Sequence, residues 1–304
     1  MKNLLSLIIL VFLVVSCKPN VEQKRTGKLK IVTTTGILAD AVMEITGDSA
    51  EVTSLMGPGV DPHLYKVSQG DLSVLTKADL IIYNGLHLEG KMGEVLEGLA
   101  KQKKVVAIAD GISKSELRNV SGFAGGFDPH IWFNVEIWKK GVEYLAEVIQ
   151  KNDSVNALYY KKNALVYSKR LDSLHKTVIS EIQHIPESQR VLVTAHDAFG
   201  YFGDAYKIEV KGLQGISTVS EPGLKDISEI TKLIVDRKIK AIFVESSVSP
   251  KLVESVVAGA KARGHVVKIG GLLYSDALGE KNTPAGTYIG MVNENVKTIT
   301  SALR

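Results

Sequence analysis

The sequence predicts an α/β protein of two lobes, each with a mostly parallel sheet covered by helices, joined by one long α-helix. Three observations carry this. Short β-branched runs alternate with segments of helical period in both halves, the pattern of parallel strands with helices on their faces. Between the halves, Ser154 to Ile185 contains no Gly or Pro before Pro186 and keeps three- and four-residue apolar steps. Behind the first 28 residues, about 276 remain, room for one large domain or two smaller ones.

The elements follow in order. In the first half Leu29–Thr35, Glu51–Met56, Leu80–Tyr83 and Val105–Ala109 read as strands, with helices over Gly36–Thr46, Gln69–Ala78 and Lys91–Lys101. In the second half Arg190–Thr194, Lys207–Val210, Ala241–Glu245 and His265–Ile269 read as strands, with helices over Leu224–Arg237, Lys251–Arg263 and Tyr288–Leu303. Asp153 can cap the long central helix, whose apolar row is Leu158, Leu165, Leu171, Leu174, Val178 and Ile182. About 30 residues at 1.5 Å each make a rod about 45 Å long, which spans a domain rather than sitting within one. Two shorter helices bent at Lys161-Lys162-Asn163 are the alternative. The expected lobes are residues 29–152 and 187–304, with the linking helix over 153–186.

The start of the chain predicts export. Lys2 precedes an apolar run from Leu4 to Val15 broken only by Ser6, shorter than the roughly 20 residues of a membrane span. It fits the core of a signal peptide over residues 1–16. Val14-Val15-Ser16-Cys17 resembles the bacterial lipobox, in which the cysteine is acylated and becomes the first mature residue. Residues 17–28 then form a polar, lipidated tether. Cys17 is the single cysteine, so disulfides, cysteine-rich zinc sites and thiol catalysis are excluded from the mature chain. A formal charge of +4 with no basic cluster argues against nucleic acid as a partner.

Of seven histidines, three share a setting. His63 and His130 each end an Asp-Pro-His tripeptide, 67 residues apart, and His196 stands in Thr-Ala-His-Asp-Ala-Phe, a further 66 along. Proline fixes its own φ and restricts the residue before it, so such a turn aims the imidazole as a preorganised ligand requires. Loops at the carboxyl ends of parallel strands form the ligand crevice. Three neutral imidazoles suit Zn²⁺ or a similar ion, with a carboxylate as fourth partner. Asp276, on a turn before the final helix, and Glu245, ending a strand, compete for that place. His175, His184 and His265, the last beginning a strand, are expected to be structural. His87 is at most a weak accessory contact.

These residues carry a family resemblance. The stretches GPGVDPHLYKVSQGDLSVLTKADLIIYNGLHLEGKM (57–92), DPHIWFN (128–134), TAHDAFGYF (194–202), STVSEPGLKDISEI (217–230), IFVESSVSPK (242–251) and LLYSDALG (272–279) resemble the zinc/manganese solute-binding lipoproteins of ABC transporters. The resemblance implies one metal in the cleft between two lobes, bound by His63, His130, His196 and Asp276, and delivery to a permease in the membrane. The protein is expected to be a monomer on the outer face of a membrane, held to the bilayer through Cys17. Two departures stand out: Asn134 replaces an acidic residue of many relatives, and the histidine-rich acidic loop of many zinc receptors is missing. The missing loop counts against zinc. The nitrogen-rich donor set favours it over manganese, which prefers oxygen, and relatives that tend to manganese replace the third histidine with an acid.

Two rival functions are weighed against this one. A secreted zinc hydrolase would use three histidines, an open coordination position and Glu245 as base. The chain lacks His-Glu-x-x-His, and a fourth protein ligand closes the sphere, so no enzyme is expected. A surface adhesin would need extended binding faces, and the chain has no repeats of the kind that build them.

Overall fold

The structure, a computed structural model, describes residues 27–304 except residue 124; the signal peptide, Cys17 and most of the tether lie outside the described residues. The first half is built on four parallel strands in the order β2-β1-β3-β4. They are β1 (Leu29–Thr33), β2 (Ala50–Ser54), β3 (Leu80–Tyr83) and β4 (Lys104–Ala107), with helices α1 (Gly36–Thr46), α2 (Gln69–Lys77) and α3 (Gly93–Ala100) in the connections. Central strands buried on both faces read as continuous apolar runs, as Leu80-Ile81-Ile82 does here.

The chain next enters α4 (Val135–Asn152), a helix not expected from the sequence reading. Its signals are present: Asn134 accepts from the backbone N–H of Glu136 and Ile137, and Trp138, Val142, Leu145 and Ile149 form a buried row. Asn134 is therefore a helix cap.

The long helix α5 (Ala157–Gln183) is continuous across Lys161-Lys162-Asn163, so the bent alternative does not hold. Its 27 residues make a rod of about 40 Å. Asp153 does not cap it. That carboxylate takes the Asn156 amide at 2.9 Å and the Tyr160 hydroxyl at 2.7 Å, with one 3-10 turn between the helices. The buried row is Tyr160, Ala164, Tyr167, Leu171, Leu174, Val178 and Ile182. Leu158 and Leu165 face solvent instead, because at 100° per residue each sits roughly 140–160° round the helix from Tyr160 and its row.

In the second half β5 (Val191–His196) pairs with β6 (Glu209–Gln214), and β7 (Ala241–Glu245) with β8 (Lys268–Leu273), all parallel. These pairs lie side by side as separate ladders rather than one sheet. At their junction the Glu245 side chain, and not a β7 carbonyl, takes the His196 N–H. Around them lie α6 (Gly200–Tyr206), also unforeseen, α7 (Leu224–Asp236), α8 (Lys251–Ala262) and α9 (Tyr288–Leu303). His265 precedes β8 rather than beginning it. It closes α8 in a Schellman turn: Gly264 has φ +82°, the His265 N–H reaches the Ala260 carbonyl, and the Gly264 N–H reaches that of Lys261.

Three apolar clusters form among the described residues. One backs the first sheet around Val32, Met56, Leu75 and Ile81, and another fills the second half around Val193, Ile234, Ile242 and Val256. The third is shared: it runs from Ile31 and Leu38 through Trp132, Trp138 and the α5 row to Phe199, Phe243 and the α9 residues Met291 and Ile299. Hydrogen bonds cross it as well, from Trp132 Nε1 to the Ser275 carbonyl at 2.9 Å and from the Tyr288 hydroxyl to the Trp132 carbonyl at 2.8 Å.

Candidate metal centre

Four segments converge where the carboxyl ends of the strands meet. His63 comes from the loop after β2, and His130 from the segment before α4. His196 is the last residue of β5, and Asp276 lies in the loop after β8. All four side chains are buried, and their ligand atoms lie within 4.8 Å of one another.

Local chemistry aims each ring. In both Asp-Pro-His turns the aspartate accepts the N–H of the histidine two residues on, Asp61 from His63 at 2.8 Å and Asp128 from His130 at 3.0 Å. This is the Asx turn that such residues favour. Asp128 also takes His130 Nδ1 at 2.8 Å, which leaves Nε2 to face the centre. Glu245 plays the corresponding part for His196: Oε1 accepts the backbone N–H at 2.9 Å and Oε2 lies 2.5 Å from Nδ1. That second distance is an ion pair's, without the alignment of a hydrogen bond. Glu245 thus stands behind the ring and outside the group of four. Among the described residues His63 Nδ1 has no such partner.

The donor spacing has a definite size. His63 Nε2 is 3.3 Å from His130 Nε2. His130 Nε2 is 3.5 Å from Asp276 Oδ1, and His196 Nε2 is 3.4 Å from Asp276 Oδ2. Donors held tetrahedrally at zinc–nitrogen distances are separated by about 3.3–3.4 Å, so the spacing fits an ion of that size. Both Asp276 oxygens face the cluster, each beside a different histidine, which offers an ion three nitrogens and up to two oxygens. Ser247 donates to Asp276 Oδ2 at 3.3 Å, and the Asn295 side chain clamps both backbone groups of Tyr274 at 2.8 and 2.9 Å.

Charge is unevenly divided among the four side chains. Burial holds the His63 imidazole down to about 3, with repulsion from the other two rings adding to it despite Asp276. Burial also opposes charging of His130, but Asp128 and Asp276 overcome it and raise that ring to about 9. His196 is raised well above its ordinary value against the same burial, by Glu245 and Asp276. Asp276 is driven well below the usual carboxylate range despite burial, by His196 and His130.

The other histidines lie elsewhere. His175, in α5, meets the Tyr206 hydroxyl at 3.2 Å, and His184 caps the end of that helix. His265 Nε2 binds the Ile239 carbonyl at 2.8 Å. His87 stands outside the four and packs against Gly125. Thr218, which the sequence reading did not single out, reaches from the second half to Asp61 Oδ2 at 2.5 Å. The only hint of it was its place within the STVSEPG stretch.

Comparison with known proteins places this geometry in context. The family described as zinc-uptake complex component A, periplasmic, matches residues 31–302. The chain is 51% identical over 277 residues to the manganese-binding lipoprotein MntA of Bacillus subtilis, covering 91% of this chain and 90% of that one. It is 47% identical over 277 residues to the zinc-binding protein TroA of Treponema pallidum, covering 91% and 89%. The solved structure of that periplasmic zinc-binding protein superposes with a TM-score of 0.89, covering 91% of this chain and 99% of that one.

Proposed function

The chain belongs to the family of periplasmic zinc-uptake component A, and from that premise we propose that it captures one divalent transition metal outside the cytoplasmic membrane and hands it to the permease of an ABC importer. The observation that carries this is the buried convergence of His63, His130, His196 and Asp276 at the spacing of a bound ion. Zinc is the favoured cargo, because three of the donors are nitrogen. One feature favours manganese as a second reading: both oxygens of Asp276 face the centre, which permits a five-coordinate, more oxygen-rich sphere. The two relatives described above are divided, one named for manganese and one for zinc.

In this reading residues 1–16 are a signal peptide, Cys17 carries lipid, and residues 17–28 tether the binding protein to the bilayer. Residues 29–152 and 187–304 act as the lobes on either side of the 153–186 helix, and the protein works as a monomer. Relatives named as lipoproteins support the tether. Among the described residues no helix is long and apolar enough to cross a membrane. No catalytic residue is assigned, since Glu245, the base a hydrolase would need, is engaged with His196. The zinc-loaded protein should leave ester and peptide substrates intact.

The deciding experiment is physiological. Both readings predict tighter Zn²⁺ than Mn²⁺ in a titration, by the Irving–Williams order. Cells lacking the gene, starved of metal, should be rescued by added zinc. Rescue by manganese at concentrations where zinc has no effect would make manganese the cargo.

A further inference from the structure

The turn after β3, Asn84 to Glu89, is a strained piece of backbone that metal capture has so far left unexplained. Gly85, Leu86 and His87 have φ of +86°, +54° and +63° in succession. Each residue with a Cβ costs roughly 1–2 kcal/mol in that left-handed region, so the turn persists only where its surroundings hold it. A buried carboxylate does so. Glu89 accepts the Thr34 hydroxyl at 2.6 Å, the Asn84 N–H at 2.7 Å and the Gly85 N–H at 3.3 Å.

So held, the turn touches the His130 segment at two points. The Asn84 side-chain nitrogen donates to the Gly85 carbonyl at 3.2 Å and to the Pro129 carbonyl at 2.9 Å. Two carbonyl acceptors decide which end of the amide faces them. Pro129 immediately precedes His130. The His87 ring lies against Gly125, where an added Cβ would come within 2.3 Å of His87 Cδ2. Gly125 stands on the loop leading into Asp128, whose own N–H returns to the Arg118 carbonyl.

We propose that Asn84 is a positioning residue for His130, its amide fixing the Pro129 carbonyl and with it the Asp128-Pro129-His130 turn, while Glu89 holds Asn84 in place. This rests on the reading of His130 as a metal ligand. A ring carried on a proline turn can still pivot about the peptide before it, and a hydrogen bond to that peptide's oxygen removes the freedom. Partners one step removed from a metal commonly change affinity by 10–100-fold when lost.

The test uses the mature chain and Co²⁺ as probe, since its visible bands report coordination number and geometry. Asn84→Ala and the isosteric Asn84→Asp are made alone and together with His130→Ala, with circular dichroism to establish folding. Each Asn84 variant should weaken Co²⁺ binding by about 10–100-fold and shift the visible bands. With His130 already removed, neither should weaken binding further, the non-additivity of a coupled pair. Equal losses in both backgrounds would reduce Asn84 to a support of the fold and overturn the proposal, as would unchanged bands and affinity. If Asn84→Ala does not fold, Asn84→Asp decides. Should His130→Ala alone leave binding and bands intact, the metal-site reading itself fails, and the proposal falls with it.

Discussion

His130 and His196 each have a carboxylate behind the ring, and His63 has none. His63→Ala, His130→Ala, His196→Ala and Asp276→Ala should each weaken metal binding by orders of magnitude, read by competition with a chromophoric chelator. Glu245→Gln, acting through His196, should cost about 10–100-fold. Near-normal binding by Asp276→Ala beside a collapse in Glu245→Gln would exchange the two carboxylates. The charge distribution yields a second prediction. An unperturbed imidazole would begin to lose metal near its ordinary pKa of about 6.5, but His130 holds its proton up to about 9 and His196 is also raised. A bound ion must displace both protons, whereas His63 and Asp276 have none to give at neutral pH. Calorimetry in buffers of differing ionisation heat should therefore find protons released on metal binding at pH 7, and affinity should fall as pH drops through about 9, where His130 takes its proton. Release near zero would mean neutral rings in the metal-free protein. The same sign governs stability: the raised His130 stabilises the metal-free fold fully below its unfolded pKa, and that contribution is lost as pH rises through about 9. The paired Asp-Pro-His turns were legible in the sequence because an Asx turn is a local device. The role of Glu245 was not, since its partner His196 lies 49 residues away and either carboxylate suits a metal equally well on paper.

At the scale of elements, the α4 cap and the α5 row invite direct tests by urea unfolding. Asn134→Ala removes an acceptor for two backbone donors and should cost about 1 kcal/mol. Leu171→Ala, fully buried on α5, should cost about 2–5 kcal/mol, while exposed Leu158→Ala should stay within about 0.5 kcal/mol. Comparable losses for both leucines would mean that the buried face is misassigned. These pairs also show where element reading succeeds and fails. Leu80–Tyr83 and Ala241–Glu245 were readable to the residue because buried parallel strands are short unbroken apolar runs. Leu158 and Leu165 fall off the buried face because the step from Leu165 to Leu171 is not a three- or four-residue step, while the inward row there uses Tyr160, Ala164 and Tyr167. β8 was misplaced because Val266 and Val267 look like strand residues, yet the chain there is still leaving the Schellman turn.

At the scale of the molecule, the shared apolar cluster and α5 join the halves through a packed interior rather than a hinge of free strands. Small-angle scattering should find metal-free and loaded protein nearly equal in size; a change of several ångströms in radius of gyration would contradict this. Cys17→Ser should release the protein into a soluble fraction or leave an uncleaved precursor. Wild-type protein that stays soluble and takes up no fatty-acid label would remove the tether. The two-lobe plan was legible because strand–helix alternation is a property of the whole chain; the shared core was not, since it depends on which faces meet. The order in which the donors appear along the chain has one more consequence. The first donor is residue 63 and the last residue 276, and the segment bearing Asp276 is clamped by Asn295 from α9, near the chain's end. A growing polypeptide therefore lacks the full set of four until residue 276 is made, and lacks the clamp on that segment until Asn295 of α9 has docked. On the proposed reading of these four residues as donors, loading follows the docking of α9, and the ion is drawn from the compartment in which folding ends.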